Sequence, residues 1–521
     1  MQGRAGLLRL LGVAAMRELD RRAVQELGLP VRALMEVAAA ALARQALAMR
    51  SGSGPALFLC GGGHNGGDGL AGARHAAARG VQAEVLLWAD PERLGEAPAA
   101  NLALLRAAGV PVALEPGPAD AARHLAGAGV VVDCLLGTGF HGAVRPPLPE
   151  VIAAVNACGR PVLSADVPSG LSGDLGRGPE GPCVRATATL CFGAVKAALA
   201  APPGRPWAGE VLCEPLGIPE AAWRELDAVE GLEEVAVAAL LPVRRGEGHK
   251  GTYGTVLAVV GAVGFAGAAA MCAEGALRAG CGLCQVLCPQ PLQSVIAAKL
   301  TEATVRALPA DAAGGLDAEA CGAPALRAGL GAAEALAVGP GLGRGPGVAA
   351  VLRHILAAFA GSVVVDADGL NALDLPMIAG AQGRVVITPH PGEAAHLLGC
   401  AASDVQADRL GAVRRLAREG QCVAVLKGAG TLVAEPGGGT ALCPAGNDGM
   451  ATGGSGDVLT GVLAGLLAQG AAPWDAARAA VFVHGRAGDL AARRLGRRAL
   501  LAGDLLRHLG LAFRSIAGAG A

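Results

Sequence analysis

The sequence predicts an α/β protein of two domains, of which the first is doubly wound, and three observations support this prediction. The chain has 521 residues, whereas single hydrophobic cores rarely grow beyond about 250 to 300 residues. Hydrophobic residues make up 52% and charged residues 17% of the chain, so core material is ample. Short apolar runs also end repeatedly in glycine-rich turns that lead into helical segments. We expect one domain over residues 1–228 and another over residues 229–521.

The charge and cysteine content argue against several classes of protein. Lysine and arginine number 43 against 44 aspartates and glutamates, and no basic block stands out, so nucleic acid is not an expected partner. Many of the fourteen cysteines lie in apolar runs of a chain long enough to need no disulfides, which favours reduced, buried thiols. Cys281, Cys284 and Cys288 have a spacing that would suit an iron–sulfur cluster, but their strand-like surroundings favour a role as small hydrophobes.

Two apolar segments raise the question of a membrane, and both favour a cytoplasmic protein. The first twenty residues carry Arg4 and Arg9 among leucines. This leaves a signal peptide open, but Arg9 interrupts the apolar run and a charged helical segment follows, so we expect an irregular N-terminus instead. Residues 251–273 are uncharged and long enough to span a membrane. Glycines punctuate them, however, and predict a strand, a turn and a helix of a protein without membrane contact.

The first strong signal in the N-terminal half is a strand, a glycine loop and a helix in the order typical of nucleotide-binding folds. The strand is predicted over residues 56–60, the loop over residues 61–69 and the helix from Leu70. Asn65 and Asp68 stand among six glycines of the loop, so polar groups occupy a place where backbone can approach a ligand closely. Further strands are predicted over residues 84–87, 130–133, 161–165 and 187–192.

Polar residues follow three of these strands. Asp133, Asp166, Ser169 and Lys196 stand at or just beyond strand ends. Since the carboxyl ends of parallel strands meet along one crevice, we expect them to lie together with Asn65. An aspartate beside a lysine can exchange protons with a substrate, and oxygens of Asn65, Asp133 and Ser169 suit a hard monovalent cation. Any one Asp or Ser could instead cap a helix, but the whole set favours an active site.

Between residues 215 and 250 the strand signals stop. Prolines appear there, and an acidic cluster from Glu225 to Glu234 predicts one short helix within a linker. We therefore expect the domains to meet near residue 230. No internal repeat joins the two halves.

The C-terminal half shows the same order of strand, glycine-rich turn and helix. Strands are predicted over residues 255–260, 363–365, 385–388 and 423–426. Lys427 follows the last of these strands, where its ammonium group can reach a nucleotide phosphate. The G-x-x-x-x-G-K-[ST] motif does not occur, so the domain is not a P-loop enzyme.

The most informative stretch runs from Asn447 to Asp457 and leads directly into a helical run. Gly453, Gly454 and Gly456 leave backbone N–H groups free to surround an anion at the helix N-terminus. Asp457 would repel that anion, which indicates that it faces the other reactant and takes a proton from an attacking hydroxyl group. A phosphate cradle beside a base predicts phosphoryl transfer. The alternative is a glycine-rich turn in which the aspartate only caps the helix.

These motifs carry a family resemblance. The stretch from Asn447 to Asp457 resembles the signature of ADP-dependent NAD(P)H-hydrate dehydratases, which have a ribokinase-like fold, and the likeness extends over roughly residues 249–510. The first half, roughly residues 15–216, is similar to the NAD(P)H-hydrate epimerases, with a Rossmann-like fold. The whole chain thus resembles bifunctional NAD(P)H-hydrate repair enzymes. The resemblance implies that one domain interconverts the R and S epimers of NADHX and NADPHX, and that the other dehydrates the S epimer to NAD(P)H.

In the first domain the resemblance implies a K⁺ ion bound by Asn65, Asp133 and Ser169. It also implies acid–base chemistry at C6 of the hydrated nicotinamide ring by Asp166, for which we predict Lys196 as the catalytic partner. The implied contacts of the hydrated cofactor are His64, Asn65, Gly66, Gly67, Asp68, Gly137, Thr138, Gly139, Phe140, His141, Gly142, Ala143 and Asp166. Two residues depart from the family pattern, since His64 and Val37 each stand where the family usually has Asn.

In the second domain the resemblance implies that ADP phosphorylates the C6 hydroxyl group, starting with proton removal by Asp457, and that phosphate is then lost. ADP is converted to AMP and phosphate, and Mg²⁺ is expected with the nucleotide. The implied contacts of the hydrated cofactor are Gly341, His390, Pro391, Gly392, Glu393 and Asp457. The implied nucleotide contacts are Lys427, Gly428, Ala429, Gly430, Thr431, Asn447, Asp448, Gly449, Met450, Ala451, Thr452, Gly453, Gly454, Ser455 and Gly456.

Several assignments stay open at this level. His390 is either a substrate contact or a turn residue between two prolines, whereas His484, in an apolar helical run, favours a structural role. Asp366 and Asp368 either orient magnesium or cap a helix. The alternative function is a small-alcohol kinase fused to a non-catalytic Rossmann-like binding module. We expect a homo-oligomer, while the choice between NADHX and NADPHX stays open and the preference for ADP over ATP depends on the family likeness alone.

Overall fold

The computed structural model describes residues 8–244, 246–381 and 384–519. The chain separates by its internal contacts into two compact units, one from Arg9 to Val229 and one that begins at Glu230. In each unit short strands alternate with helices. The α/β fold class predicted from the sequence is confirmed.

The first unit is built on a parallel sheet. Its strands are β1 (Leu8–Leu11), β2 (Ala56–Gly61), β3 (Ala83–Trp88), β4 (Val112–Leu114), β5 (Val130–Cys134), β6 (Val162–Ala165), β7 (Ala188–Phe192), β8 (Val195–Lys196) and β9 (Glu210–Glu214). Within the described residues, seven of them pair in the order β4-β3-β2-β5-β6-β7-β9, and all these pairs are parallel. β2, β5 and β7 consist wholly of buried residues, as expected for strands covered on both faces.

Helices cover both faces of this sheet. They are α1 (Val13–Arg21), α2 (Val31–Met49), α3 (His64–Ala77), α4 (Glu96–Ala107), α5 (Pro118–Gly127), α6 (Leu148–Ala157) and α7 (Arg205–Ala208). One hydrophobic core joins α2, α3 and α4 to one face of the sheet. A second core joins α5 and α6 to the other face. The first unit is therefore doubly wound, as the sequence predicts.

The N-terminal segment contains a strand that the sequence prediction missed. β1 pairs in parallel with β8, with Leu10 opposite Val195 and Leu11 opposite Lys196. Leu10 and Leu11 are both buried. The expectation of an irregular N-terminus is therefore wrong for Leu8–Leu11, because a partner strand far along the chain stabilises this leucine run. The preceding part of that expectation, residues 1–7, lies outside the described residues.

The second unit is built on a mixed sheet. Its strands are β10 (Ala228–Gly231), β11 (Thr255–Val259), β12 (Leu283–Pro289), β13 (Thr304–Leu308), β14 (Ala335–Val338), β15 (Ser362–Val365), β16 (Val385–Ile387), β17 (Val423–Leu426), β18 (Thr431–Ala434) and β19 (Thr440–Cys443). They pair in the order β13-β12-β11-β14-β15-β16-β17-β18-β19-β10. The pairs from β13 to β17 are parallel, and the two pairs made by β18 are antiparallel.

Helices also pack on both sides of this second sheet. They are α8 (Glu234–Ala238), α9 (Ala266–Arg278), α10 (Gln293–Lys299), α11 (Pro324–Ala332), α12 (Pro346–Ala358), α13 (Asp368–Asn371), α14 (Leu375–Ala379), α15 (Pro391–Leu398), α16 (Ala402–Ala407), α17 (Arg409–Gly420), α18 (Ser455–Ala468), α19 (Pro473–Leu495) and α20 (Ala502–Ala519). α18 is apolar on all sides and lies in a core with α9, α19 and α20, as expected of a central helix.

The segment after residue 215 differs from its prediction. Instead of one helix in a linker, it contains a 3₁₀ turn at Glu220–Trp223, the strand β10 and the short helix α8. β10 pairs in parallel with β19, with Glu230 opposite Ala441. The prediction is wrong because a four-residue strand has too few residues to show a period of its own.

The two segments with competing interpretations follow the strand predictions. Cys284 and Cys288 lie on β12, and Cys281 stands just before it; all three are buried in the hydrophobic core of the second unit. The uncharged residues 251–273 contain β11, a turn and the start of α9. Across the described ranges, no helix is both long and apolar enough to cross a membrane.

Candidate active sites

The cleft of the first unit opens where the strand order reverses. From β2 the sheet runs outward through β3 and β4, and from β5 it runs the opposite way, so the carboxyl ends of β2 and β5 flank a crevice. A cleft of about 790 Å³ lies there. Among the predicted residues, its lining includes His64, Asn65, Asp68, Gly137, Thr138, Gly139, Phe140, Asp166 and Lys196. The strand-end argument thus brings the predicted groups together.

Asp166 and Lys196 form a buried ion pair at this cleft. Lys196 Nζ donates hydrogen bonds to Asp166 Oδ1 and to the Phe192 carbonyl oxygen, the latter at 2.7 Å. The Phe192 amide also donates to Asp166 Oδ1 at 3.1 Å. Burial alone would lower the pKa of Lys196, but the charge of Asp166, its hydrogen bond and the nearby Cys191 and Cys213 together outweigh burial, and the pKa is raised. Lys196 therefore stays a cation beside the Asp166 carboxyl group.

Asp68 adds a second carboxyl group to the same cleft. Burial, and next the negative charge of Asp166, raise the pKa of Asp68 well above its ordinary value. Two carboxyl groups with different environments around one lysine can divide the roles of proton donor and acceptor. The cleft thus has the groups that reversible proton transfer requires.

A hydrogen-bonded layer lies beneath the cleft. Asp133 is fully buried and accepts from Ser164 Oγ at 2.8 Å, from Ser169 Oγ at 2.5 Å and from the Ser169 amide at 2.9 Å. Asn65 Nδ2 donates to the Leu136 carbonyl oxygen at 3.1 Å. Asn65 Oδ1, by contrast, is buried and has no hydrogen-bond partner among the residues that the structure describes. Such an orphaned acceptor is costly unless something binds it.

Some predicted contacts are not on the cleft surface. Gly66 and Gly67 are buried beneath it, and a side chain at Gly66 would approach the Gly61 carbonyl oxygen to 1.8 Å. Only glycine fits this helix start. His141 and Gly142 line a smaller neighbouring pocket of about 240 Å³, and Ala143 is not in the described lining of either cavity.

The two departures from the family pattern differ in placement. His64 lines the cleft, whereas Val37 is 42% exposed and is absent from the described lining. The cleft also contains three charged groups of α1 that the sequence patterns missed, Arg17, Asp20 and Arg21. Arg17 Nη2 lies 2.7 Å from His141 Nε2. The helical spacing of α1 was visible, but the sequence does not show which face of α1 meets the cleft.

The candidate site of the second unit surrounds the first turn of α18. Gly454 has a φ of +92°, and a side chain there would approach Met271 Sδ to 2.4 Å, so the turn requires glycine. A side chain at Gly456 would come within 3.3 Å of Lys427 Nζ. The strand-end lysine and the predicted phosphate cradle therefore lie side by side.

Asp366 is the partner of that lysine. Lys427 Nζ donates to Asp366 Oδ1 at 2.6 Å and lies 3.8 Å from Glu393 Oε2. Burial would lower the pKa of Lys427, but Asp366 and Glu393 outweigh it and the pKa is raised. Thr460 Oγ1 donates to Asp366 Oδ2 at 2.7 Å. Asp366 is not a helix cap, because the N-cap of α13 is Ala367 and no side chain caps that helix. The capping alternative is wrong for Asp366.

Asp457 lies two residues into α18, in a place that suits a base. Burial, and next the negative charge of Asp366, raise the pKa of Asp457 to about 7, against an opposing effect of Lys427. A carboxylate with a pKa near neutrality binds a proton more strongly than an exposed aspartate does. Asp368, which also raises this pKa, accepts a hydrogen bond from the Gly343 amide at 2.8 Å.

His390 is the N-cap of α15. Its Nδ1 accepts from the amides of Gly392 at 3.0 Å and Glu393 at 3.2 Å, and Glu393 Oε2 accepts from the His390 amide at 2.7 Å. Glu393 is buried, which raises its pKa, while Lys427 opposes this shift. His390 is thus a helix cap that also holds Glu393 beside Lys427, and its contact with the substrate stays a prediction.

The predicted nucleotide-binding loops, residues 427–431 and 447–456, are held by hydrogen bonds with residues that the sequence patterns did not single out. Arg409 Nη2 donates to the carbonyl oxygens of Leu426, Lys427 and Gly430 at 3.3 to 3.4 Å. Asn447 Nδ2 donates to Asp489 Oδ1 at 2.9 Å. Arg409 lies on α17 and Asp489 on α19, so only the tertiary structure reveals these hydrogen bonds.

His484 supports the glycine-rich turn from below. It is buried, and its Nε2 lies 2.9 Å from the Ser455 carbonyl oxygen, so the imidazole donates there. Burial lowers the pKa of His484 to about 4. Its contact with backbone at the start of α18 agrees with the structural role predicted for it.

Gly341 marks the switch point of the second sheet. It follows β14, which neighbours β11, where the strand order again reverses. Gly341 has a φ of +62°, and a side chain there would approach Phe265 Cβ to 2.7 Å. A ligand crevice is expected at this switch point.

Known proteins match this chain along nearly its whole length. Residues 31–198 match the family described as YjeF-related protein N-terminus, and residues 256–510 match the family described as NAD(P)H-hydrate dehydratase. A bifunctional NAD(P)H-hydrate repair enzyme of Moorella thermoacetica is 41% identical over 520 residues, which cover 97% of each chain. That of Coxiella burnetii is 38% identical over 496 residues, which cover 95% of this chain and 97% of the relative.

The chain belongs to the family of bifunctional NAD(P)H-hydrate repair enzymes. The family predicted from the sequence motifs is therefore confirmed. The chain is also similar to the crystal structure of an ADP/ATP-dependent NAD(P)H-hydrate dehydratase from Bacillus subtilis co-crystallized with ATP/Mg²⁺. The sequence identity is 31% and the TM-score is 0.46, and the match covers 55% of this chain and 97% of that chain.

The two family matches divide the candidate groups of this repair-enzyme chain. Asp166 and Lys196 of the first cleft fall within residues 31–198, and Lys427 and Asp457 fall within residues 256–510. The individual roles of these residues stay predictions.

Proposed function

We propose that this chain repairs hydrated NADH and NADPH in two steps, epimerisation at C6 by the first unit and ADP-dependent dehydration of the S epimer by the second. The observation that carries the proposal is a pair of buried lysine–aspartate contacts, Lys196–Asp166 and Lys427–Asp366, one in each unit at the carboxyl ends of the strands. Each lies beside the residues that the family likeness assigns to chemistry. We take residues 1–228 as the epimerase domain and residues 229–521 as the dehydratase domain.

In the first unit Asp166 moves a proton at C6 of the hydrated ring. Lys196 holds the Asp166 carboxyl group in place through their ion pair, and Asp68, with its raised pKa, supplies a carboxyl group that can carry the proton. The loop from Gly137 to Ala143 and residues 64–68 bind the rest of the hydrated cofactor. Epimerisation returns every atom and proton, so no co-substrate is needed.

K⁺ is the proposed cation of the first unit, bound by Asn65, Asp133 and Ser169. The buried and unpartnered Asn65 Oδ1 supports this assignment, since a hard cation needs oxygen ligands. Asp133 accepts three short hydrogen bonds and a longer fourth one from the Leu135 amide at 3.4 Å, which fills the about four acceptor positions of a carboxylate, so K⁺ would take the place of the long Leu135 contact. When bound, K⁺ supplies positive charge beneath the substrate loop.

In the second unit Asp457 takes the proton of the C6 hydroxyl group as its oxygen attacks the terminal phosphorus of ADP. AMP leaves, and loss of phosphate from C6 together with loss of a proton from C5 to solvent then restores the dihydropyridine ring. Gly341 and residues 390–393 bind the hydrated cofactor. Lys427 to Thr431 and Asn447 to Gly456 bind ADP, with Lys427 and the α18 amides on its phosphates.

Mg²⁺ is proposed to enter with the nucleotide. Among the described residues, no group of three or more His, Cys, Asp or Glu side chains could hold a metal ion. Magnesium in phosphoryl transfer is bound mainly by phosphate oxygens and water, with one or two carboxylates. The ion, when bound, neutralises phosphate charge.

We also propose a cytoplasmic homo-oligomer. All fourteen cysteines are free thiols, which suits a reducing compartment. Light scattering of the purified chain tests the oligomeric state, and the mass of a single chain would contradict the proposed homo-oligomer.

The test mixes the purified full-length protein with both epimers of NADHX, K⁺, Mg²⁺ and either ADP or ATP. Complete recovery of NADH with equal release of AMP and phosphate supports both activities, and the faster nucleotide identifies the co-substrate. Recovery that stops with one epimer left would contradict epimerisation. A stable phosphorylated product without NADH would favour the small-alcohol kinase.

A further inference from the structure

A buried chain of three polar side chains lies beneath the first turns of α18. Thr460 Oγ1 donates to Asp366 Oδ2 at 2.7 Å, and Lys427 Nζ donates to Asp366 Oδ1 at 2.6 Å. Thr460 is fully buried and Asp366 is 1% exposed. Each oxygen of Asp366 therefore has its own partner, one neutral and one charged.

These hydrogen bonds fix the position of the otherwise flexible Lys427 ammonium group. A lysine ammonium stands on four rotatable carbons and adapts to the nearest anion. Glu393, the other carboxylate near Lys427, lies farther away, at 3.8 Å. The close contact with Asp366 holds the ammonium against the bare backbone of Gly456, in the first turn of α18. Without Asp366, the ammonium would be free to turn toward Glu393 and away from that turn.

Thr460 also links the proposed base, Asp457, to the proposed phosphate-binding residue, Lys427. It lies three residues after Asp457 on α18, so both side chains are on the same side of the helix. The hydroxyl of Thr460 makes Asp366, and through it Lys427, part of the same rigid element that carries the base. The base and the phosphate-binding cation thus keep a constant separation.

We propose that Thr460 and Asp366 are positioning residues for phosphoryl transfer: Thr460 orients Asp366, and Asp366 holds Lys427 at the N-terminus of α18, where the ADP phosphates bind. The inference rests on the proposed dehydratase function. Neither residue touches the reacting atoms. Their effect passes through Lys427 and, by charge, through Asp457.

The first test compares Thr460→Val with Thr460→Ser, using (S)-NADHX and ADP. Valine keeps the shape of threonine but removes the hydroxyl group, whereas serine keeps the hydroxyl group. Loss of a hydrogen bond to a charged group corresponds to roughly a 10- to 100-fold effect. We expect Thr460→Val to lower kcat/KM for ADP by about that factor and Thr460→Ser to restore most of it.

A matched control is Thr189→Val in the first unit, where Thr189 Oγ1 donates to the Ala208 carbonyl oxygen at 2.7 Å. This variant also removes a buried threonine hydroxyl group, but it lies outside the dehydratase unit and should leave ADP kinetics unchanged. Circular dichroism and the epimerase rate report whether each variant is folded. Equal losses in Thr460→Val and Thr460→Ser, or none in either, would overturn the positioning role.

The second test uses pH. Asp366 and Asp368 raise the pKa of Asp457, and Lys427 lowers it. Asp366→Asn removes one negative charge, so the acidic limb of the kcat/KM profile should move to lower pH. A purely structural role for Asp366 would reduce the rate without moving that limb, and such a result would overturn the inference. A wild-type enzyme without ADP-dependent recovery would instead contradict the proposed function itself.

Discussion

Lys196 donates a hydrogen bond to Asp166 from 30 positions farther along the chain. Asp166 has a φ of +67°, a left-handed conformation that costs a non-glycine residue on the order of 1–3 kcal/mol. The ion pair and the Phe192 amide hold the carboxylate in this conformation. Backbone strain that is offset by a specific charge partner is typical of functional sites, which supports Asp166 as the reactive group of the first unit.

Asp166→Asn should stop epimerisation and spare dehydration. Loss of a positioned acid–base group typically costs about 10²- to 10⁴-fold in rate, so recovery of NADH from an epimer mixture should halt when the S epimer is consumed. The measurement follows both epimers by chromatography in the presence of ADP. Asp120→Asn, on the exposed face of α5, is the control and should recover all the cofactor. Full recovery by Asp166→Asn would remove Asp166 from the mechanism.

K⁺ should stabilise the first unit through Asn65. A ligand at 100 times its Kd contributes about 2.7 kcal/mol to the folded state, so the thermal transition of this unit should rise by several degrees in KCl over choline chloride at equal ionic strength. Asn65→Ala lacks the orphaned Oδ1, so K⁺ should no longer raise its thermal transition temperature. If the variant gained as much from K⁺ as the wild type, the cation site would have to lie elsewhere.

Local patterns predicted most of the strands and the strand-end residues, and contacts across the chain explain what they missed. β2 is an unbroken apolar run and β5 begins with three valines, and the rule for parallel strands brought Asp166 to Lys196. β1 and β10 are too short to show a period, and each depends on a partner strand. Thr460 meets Asp366 across 94 positions, and no local signal distinguishes a threonine in an apolar helix from its neighbours.

His484 should make the second unit less stable in acid. The pKa of a histidine in an unfolded chain is about 6.5, whereas burial holds that of His484 at about 4. The unfolded state therefore binds the proton more strongly, and stability is lost as pH falls from about 6.5 to about 4, by on the order of 3 kcal/mol.

His484→Gln keeps a donor for the Ser455 carbonyl oxygen but cannot titrate. Urea denaturation measures the unfolding free energy of both proteins at pH 7 and pH 4.5. Between these two pH values the wild type should lose more unfolding free energy than His484→Gln. An equal pH dependence in the two proteins would show that His484 is accessible to protons in the folded state.

Asp457 should give the dehydratase an acidic limb near pH 7. Burial, then Asp366, raise its pKa to about 7, and only the carboxylate can take the hydroxyl proton, so kcat/KM should fall about tenfold for each pH unit well below 7 and level off above it. Asp457→Asn should lose about 10²- to 10⁴-fold in rate, with epimerisation intact, whereas Glu419→Gln on the exposed side of α17 should match the wild type. A profile that stays flat down to pH 5 would contradict the assignment of Asp457 as a base with a raised pKa.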